Sequence, residues 1–154
     1  MNWKKSLTYL ATPLICLNFL SCALLDEDPV PSSKEHADVF AAEPDKVWKA
    51  IQLAMAAYPI HKNDMDAGLL ETKLMIPEKI WQSPVKPSSK VLSSKYKITV
   101  MTLPGKLKGE PAIRVIVKKE LRYKTNIIDA VKIIPSDGLE EEVILYRIKR
   151  EISF

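Results

Sequence analysis

The chain has 154 residues, 23 of them basic and 19 acidic, for a formal net charge of +4. That length suits one domain with a single core. The near balance of charge describes a solvated surface of mixed sign rather than the concentrated basic footprint of a nucleic-acid binder.

The N-terminus has the grammar of an export signal. Lys4 and Lys5 precede an apolar run from Leu7 to Leu20, interrupted by Thr8, Thr12, Pro13 and Asn18. A charged start before a short apolar core is a secretory signal. The run spans about 14 residues, well short of the roughly 20 that a membrane-crossing helix needs. Asp26, Glu27 and Asp28 follow closely, so it cannot be extended. It ends in Phe19-Leu20-Ser21-Cys22. This resembles the lipobox of bacterial lipoproteins, with Ser21 as the small residue before the cleavage point and Phe19 where the family usually carries leucine. The resemblance implies removal of residues 1–21 and acylation of Cys22, with the protein held to the membrane through those acyl chains. Each buried methylene contributes about 0.8 kcal/mol, so several chains anchor where one is marginal. Cys16 follows bulky Ile15 inside the apolar core and is expected to leave with the signal. Ala23, rather than aspartate, follows the cysteine; in Gram-negative lipoproteins this favours the outer membrane.

Processing would remove two lysines and no acid, lowering the net charge from +4 to +2. Cys22 would be the last cysteine, so no disulfide could form within the chain and stability must come from packing. Nucleic acid is not expected as a partner of an exported domain. Residues 22–37 carry the acylated cysteine and a stretch rich in proline, serine and acid, with no sustained periodicity. They read as a flexible tether. Residues 38–154 read as one domain.

Asp38–Ala42 suits a first strand. Glu43-Pro44-Asp45 starts a helix, with proline and acid in the first turn. Val47, Trp48, Ile51, Ala54, Met55 and Tyr58 fall on one face of it, and Pro59 ends it. Ile60–Met65 and Leu69–Ile76 read as a hairpin around Asp66-Ala67-Gly68, where Gly68 can take the positive φ of such a turn. Residues 77–94 contain Pro77, Pro84, Pro87 and five serines, the composition of a long loop, and long loops are often functional. Its one aromatic residue, Trp81, is a candidate binding anchor, or else pins the loop to its own domain.

Two alternating segments follow. Tyr96, Ile98 and Val100 lie opposite Lys95, Lys97 and Thr99. Ile113, Val115 and Val117 lie opposite Arg114, Ile116 and Lys118, with Pro104–Gly109 as the turn between. They predict antiparallel strands with one wet face, the second running on through Leu121 and Tyr123. Ile127–Ile134 reads as extended, because β-branching and Pro135 outweigh its helical spacing. Ser136-Asp137, as capping residues, and Glu140, Glu141 and Glu142 mark a last helix. Its apolar face is Val143, Ile144, Leu145, Tyr146, Ile148 and Ile152, and Lys149 and Arg150 lie near its end. The sum is an α+β fold: an antiparallel sheet with two packed helices.

Little in the chain points to catalysis. His36 lies in the tether and His61 on an expected strand edge, with no second histidine or thiol at ligand spacing, so no metal is expected. His61 is the only base on offer and has no nucleophile motif beside it. The position of Glu140–Glu142 at a helix start accounts for their charge. Gly68, Gly105, Gly109 and Gly138 form no phosphate-binding pattern, and no cofactor is expected. Lys118, Lys119, Arg122 and Lys124 read as a solvated strand face. No enzyme is expected, and catalytic residues are none.

The lipobox, the tether, the helix Asp45-Lys46-Val47-Trp48-Lys49-Ala50 and the turn Asp66-Ala67-Gly68-Leu69 together resemble the outer-membrane assembly lipoproteins of the BamC (NlpB) family. The resemblance covers about residues 38–152. It implies a helix-grip-like domain, in which a curved antiparallel sheet grips a helix. This chain has room for one such domain. The expectation is a non-enzymatic, lipid-anchored protein of the cell envelope at the outer membrane, binding another envelope protein; the alternative is a module binding a lipid or peptidoglycan fragment.

Overall fold

The computed structural model describes residues 34–76, 81, 84, 94–123 and 130–154. In chain order the elements are β1 (His36–Phe40), α1 (Pro44–Ala54), β2 (Ile60–Asp64), β3 (Leu69–Thr72), β4 (Lys95–Leu107), β5 (Glu110–Tyr123), β6 (Lys132–Ile134) and α2 (Leu139–Ser153). The strands form one antiparallel sheet in the order β1-β5-β4-β3-β2, with β6 also paired to β5. The fold is α+β, as the sequence pattern implies.

Alternation decides which face each strand buries. Tyr96, Ile98 and Val100 of β4 and Ile113, Val115, Val117 and Leu121 of β5 all enter the core. Against them lie Val47, Trp48, Ala50, Ile51 and Ala54 of α1 and Ile144, Leu145 and Ile148 of α2. The helix α1 closes at Ala54, four residues before Tyr58. Met55 and Tyr58 continue its apolar face through a turn in which the Tyr58 N–H donates to the Met55 carbonyl at 2.9 Å. Pro59 therefore follows the helix at a distance rather than stopping it.

The β2–β3 turn is built as its residues suggest. The Asp64 carboxylate accepts from the Ala67 N–H at 2.9 Å, which also holds its pKa below the usual carboxylate range. Gly68 has φ +61° and its carbonyl accepts from the Thr102 N–H at 2.9 Å. A side chain there would strike Thr102.

Other boundaries also differ from the sequence expectation: β3 closes at Thr72 rather than Ile76, with Met75 keeping only an isolated bridge to Tyr96. The sheet begins at His36 rather than Asp38, because His36 and Ala37 pair with Val117 and Ile116. The turn expected over Pro104–Gly109 shrinks to Lys108-Gly109, both at positive φ, the backbone of a tight two-residue hairpin. Pro104 is tolerated in β4 because it lies beyond the last β3 rung, Leu69 opposite Met101; with no strand on that side among the described residues, its missing N–H breaks no second ladder there. The N-cap of α2 is Gly138, at φ +79°, not Ser136 or Asp137. Those two still serve the helix entry: the Ser136 hydroxyl accepts from the Gly138 N–H and the Asp137 carboxylate from the Leu139 N–H. Of the segment 127–134, Lys132–Ile134 is extended as expected; the rest, and most of the 77–94 loop, lies outside the described residues.

Gly138 joins both ends of the chain, since a Cβ there would fall on the His36 imidazole. Gly138→Ala is expected to cost more than the roughly 1–2 kcal/mol of a left-handed φ alone. In a His36→Ala background only that backbone part should remain. Urea denaturation of the four-member cycle checks this.

Candidate functional site

Four polar side chains from four parts of the chain meet under the sheet. Lys119 is in phase with Val115, Val117 and Leu121 on the inner face of β5, so its side chain is drawn inward and is only 9% exposed. Glu140 is one helical turn before Ile144 and is fully buried. The Lys119 Nζ stands 2.9 Å from Glu140 Oε2, at ion-pair distance but outside hydrogen-bond direction. Glu140 Oε1 accepts from the hydroxyls of Tyr58 at 3.0 Å and Tyr96 at 3.2 Å. The Lys119 ammonium also lies 4.8 Å from the Tyr96 ring centroid, a cation–π contact.

Burial first, and then the charge and hydrogen bond of Glu140, push both phenols well above the ordinary tyrosine range. They stay protonated and keep donating. The carboxylate thus has two donors and a counter-ion, the compensation that a buried charge requires.

Glu141, one residue on, is 2% exposed and compensated differently. Burial raises its pKa; the Ser136 hydroxyl, its own backbone N–H, Lys119 and His36 pull the value back only in part. Its Oε2 is enclosed without a hydrogen-bond partner. Beside it is a pocket of about 250 Å³ lined by Lys34, Glu35, His36, Met101, Ile116, Val117, Lys118, Lys119 and Glu141. Topology makes this hollow. The β1 ladder stops where His36 meets Val117, and the β6 ladder starts where Leu121 meets Ile134. Among the described residues, 118–120 of β5 therefore have no strand on that edge, and the gap lies over the start of α2.

The other expected site residues fall as follows. Cys22 and Lys124 lie outside the described residues. Trp81 is half-buried, and its indole N–H is enclosed without an acceptor. His61 is exposed on β2, the strand at the sheet's far edge. His36 is not in the tether: it opens β1, with Nδ1 3.6 Å from a Glu142 carboxylate oxygen. Lys118 and Arg122 are exposed, Arg122 pairing with Glu120 at 2.7 Å, but Lys119 is not on the solvated face. Glu140 and Glu141 do lie in the first turn of α2, as expected, but both are buried. Among the described residues no group of His, Cys, Asp or Glu could hold a metal ion, and no helix is long and apolar enough to cross a membrane. Neither a protein-family model nor a curated protein matches the chain.

The signal for the buried cluster lies in periodicity. Lys119 occupies an inward position of a period-2 strand, and Glu140 and Glu141 precede Ile144 and Leu145 by four residues on a helix. Charged residues in phase with an apolar stripe mark buried pairs when two elements each carry one.

The two adjacent glutamates should differ in what removal of a charge does: Glu140 depends on its counter-ion, whereas Glu141 is undercompensated. Lys119→Met leaves Glu140 buried without its counter-ion and is expected to cost about 3–5 kcal/mol, with Lys119→Met/Glu140→Gln recovering much of it in urea denaturation. Glu141→Gln removes an undercompensated charge and should raise the melting temperature at neutral pH. A raised folded-state pKa means that the wild type loses stability as pH rises through the ordinary carboxylate range. The gain of Glu141→Gln should therefore vanish at acid pH, where Glu141 is protonated whether folded or not.

Proposed function

We propose that this chain is a lipid-anchored, non-enzymatic protein of the cell envelope, held at the outer membrane by acyl chains on Cys22, whose α+β domain binds another envelope protein. The observation that carries the reading is the join between anchor and domain. A lipobox ends at Cys22, a short polar tether follows, and the chain enters the sheet at His36. Such an arrangement keeps a folded surface within a few nanometres of a bilayer. The resemblance to the BamC family adds support for an assembly role. Glu140 adds support for a non-catalytic one, since its oxygens are occupied by two phenols and an ammonium that act on each other. The partner would meet the groove between helix and sheet, or the 77–94 loop with Trp81 as its anchor.

One observation favours the second reading, a module that binds a lipid or peptidoglycan fragment. The pocket at the sheet edge is lined by a buried carboxylate with an unpartnered oxygen, a group that costs stability as it stands and that a bound donor would satisfy.

Cys22→Ser should leave an unprocessed or soluble form, and the intact mass of the wild type from membranes should show loss of residues 1–21 and added acyl chains. A Cys22→Ser variant that still fractionates as a matured membrane protein overturns the anchor. Extraction in mild detergent should recover a stoichiometric protein partner, less of it with Trp81→Ala. If no protein is recovered and native mass spectrometry finds a bound small molecule instead, the second reading replaces the first.

A further inference from the structure

The charges around the sheet-edge pocket are unevenly compensated. Glu35 pairs with Arg114 at 2.6 Å, Lys119 is engaged by Glu140 and the Tyr96 ring, and His36 faces Glu142. Three charges remain. Glu141 sits at the inner wall with its Oε2 unpartnered. Lys34 and Lys118 are exposed at the rim, and among the described residues neither makes an ion pair. The hollow therefore has a negative floor and a positive rim. Met101, Ile116 and Val117 supply an apolar wall between them.

We propose that this pocket binds a small zwitterion: a primary ammonium seated against Glu141, and an anionic group a few bonds away held at the rim by Lys34 and Lys118. This rests on the second reading above and names the chemistry of its ligand. An ammonium supplies donors to Glu141, whose enclosed Oε2 lacks them, and replaces the cost of an undercompensated buried charge with an ion pair. A lone cation would leave the rim lysines repelling it, and a lone anion would meet Glu141; the zwitterion satisfies both ends. Size agrees, because about 250 Å³ is below the roughly 300–1,000 Å³ of sites for drug-sized ligands. That leaves room for a headgroup or one to two amino-acid residues, not for an acyl chain or a glycan strand.

Two envelope sources carry this chemistry: the ethanolamine phosphate of a lipid headgroup, and a peptide fragment with free amine and carboxylate. Mature full-length protein in detergent micelles would be titrated calorimetrically with O-phosphoethanolamine and with alanyl-alanine at millimolar concentration. One or both should bind, and the stronger identifies the source. Seating an ammonium beside Glu141 favours its ionised form, against the burial that raises its pKa; Lys119, His36 and Lys34 from β5, β1 and its approach already face it, as do Ser136, Glu140 and Glu142 from the α2 end. Binding should therefore release protons at any pH where the free protein holds Glu141 partly protonated, seen as a heat that depends on buffer ionisation.

Glu141→Gln should weaken binding at least tenfold and abolish the proton release, while its melting temperature shows it folded. Phosphocholine and N-acetyl-alanyl-alanine, which lack the primary ammonium, should bind at least tenfold more weakly than their parents. Lys34→Ala/Lys118→Ala should remove the preference for O-phosphoethanolamine over ethanolamine. Binding unchanged by Glu141→Gln, or equal binding of the ammonium-free probes, overturns the proposal. So does silence to both probes; if native mass spectrometry then still finds a bound small molecule, the zwitterion alone fails, and if it finds none, the ligand-binding reading fails with it.

Discussion

The register of the second helix on the sheet is set by the buried carboxylate of Glu140. Glu140 reaches from the first turn of α2 to Lys119 on β5, and takes hydrogen bonds from Tyr58 after α1 and Tyr96 on β4. Apolar packing is non-directional and would allow α2 to slide along the face it covers. A carboxylate that must find two hydroxyls and an ammonium does not, because any shift leaves it desolvated and unpaired. The hydrophobic core supplies the driving force, and this cluster sets the register in which helix and sheet meet.

Once Glu140 is seated, the surroundings of Glu141 are settled with it. It lies a third of a turn round the same helix and is carried to the wall of the sheet-edge gap, without the phenols and ammonium that compensate its neighbour. Two adjacent glutamates thus play opposed physical roles. One closes a set of polar partners on itself; the other is left with an open valence facing a hollow. The gap exists because β1 and β6 share one edge of β5 without meeting. The proposed tether enters at that gap, with Lys34 and Glu35 forming part of the rim. In the proposed arrangement the pocket and the membrane attachment lie at the same end of the domain.

Much of the architecture was legible beforehand. The strand alternation at 95–103 and 113–119, the apolar face from Val47 to Tyr58, and the turn at Gly68 each follow from local periodicity and backbone preference. They appear in the structure with boundaries moved by a few residues. Those movements have tertiary causes: Pro104 stays in a strand because no neighbour needs its N–H, and His36 joins the sheet because Val117 is there to pair with it. The candidate site was less legible. Glu140, Glu141 and Lys119 carry charges that local rules assign to a helix start and a solvated strand face, and those rules contain no term for a partner many residues away.

The sequence by itself determined the element types, the inward and outward faces and the α+β class. These depend on spacing along the chain, over which local physics is sufficient. Only the tertiary structure decided which charges are buried, which of them are compensated, and where the sheet leaves an edge open. The physical reason is desolvation: whether a buried charge is tolerable depends on the groups that folding brings to it, and around Glu140 those groups come from three separate parts of the chain.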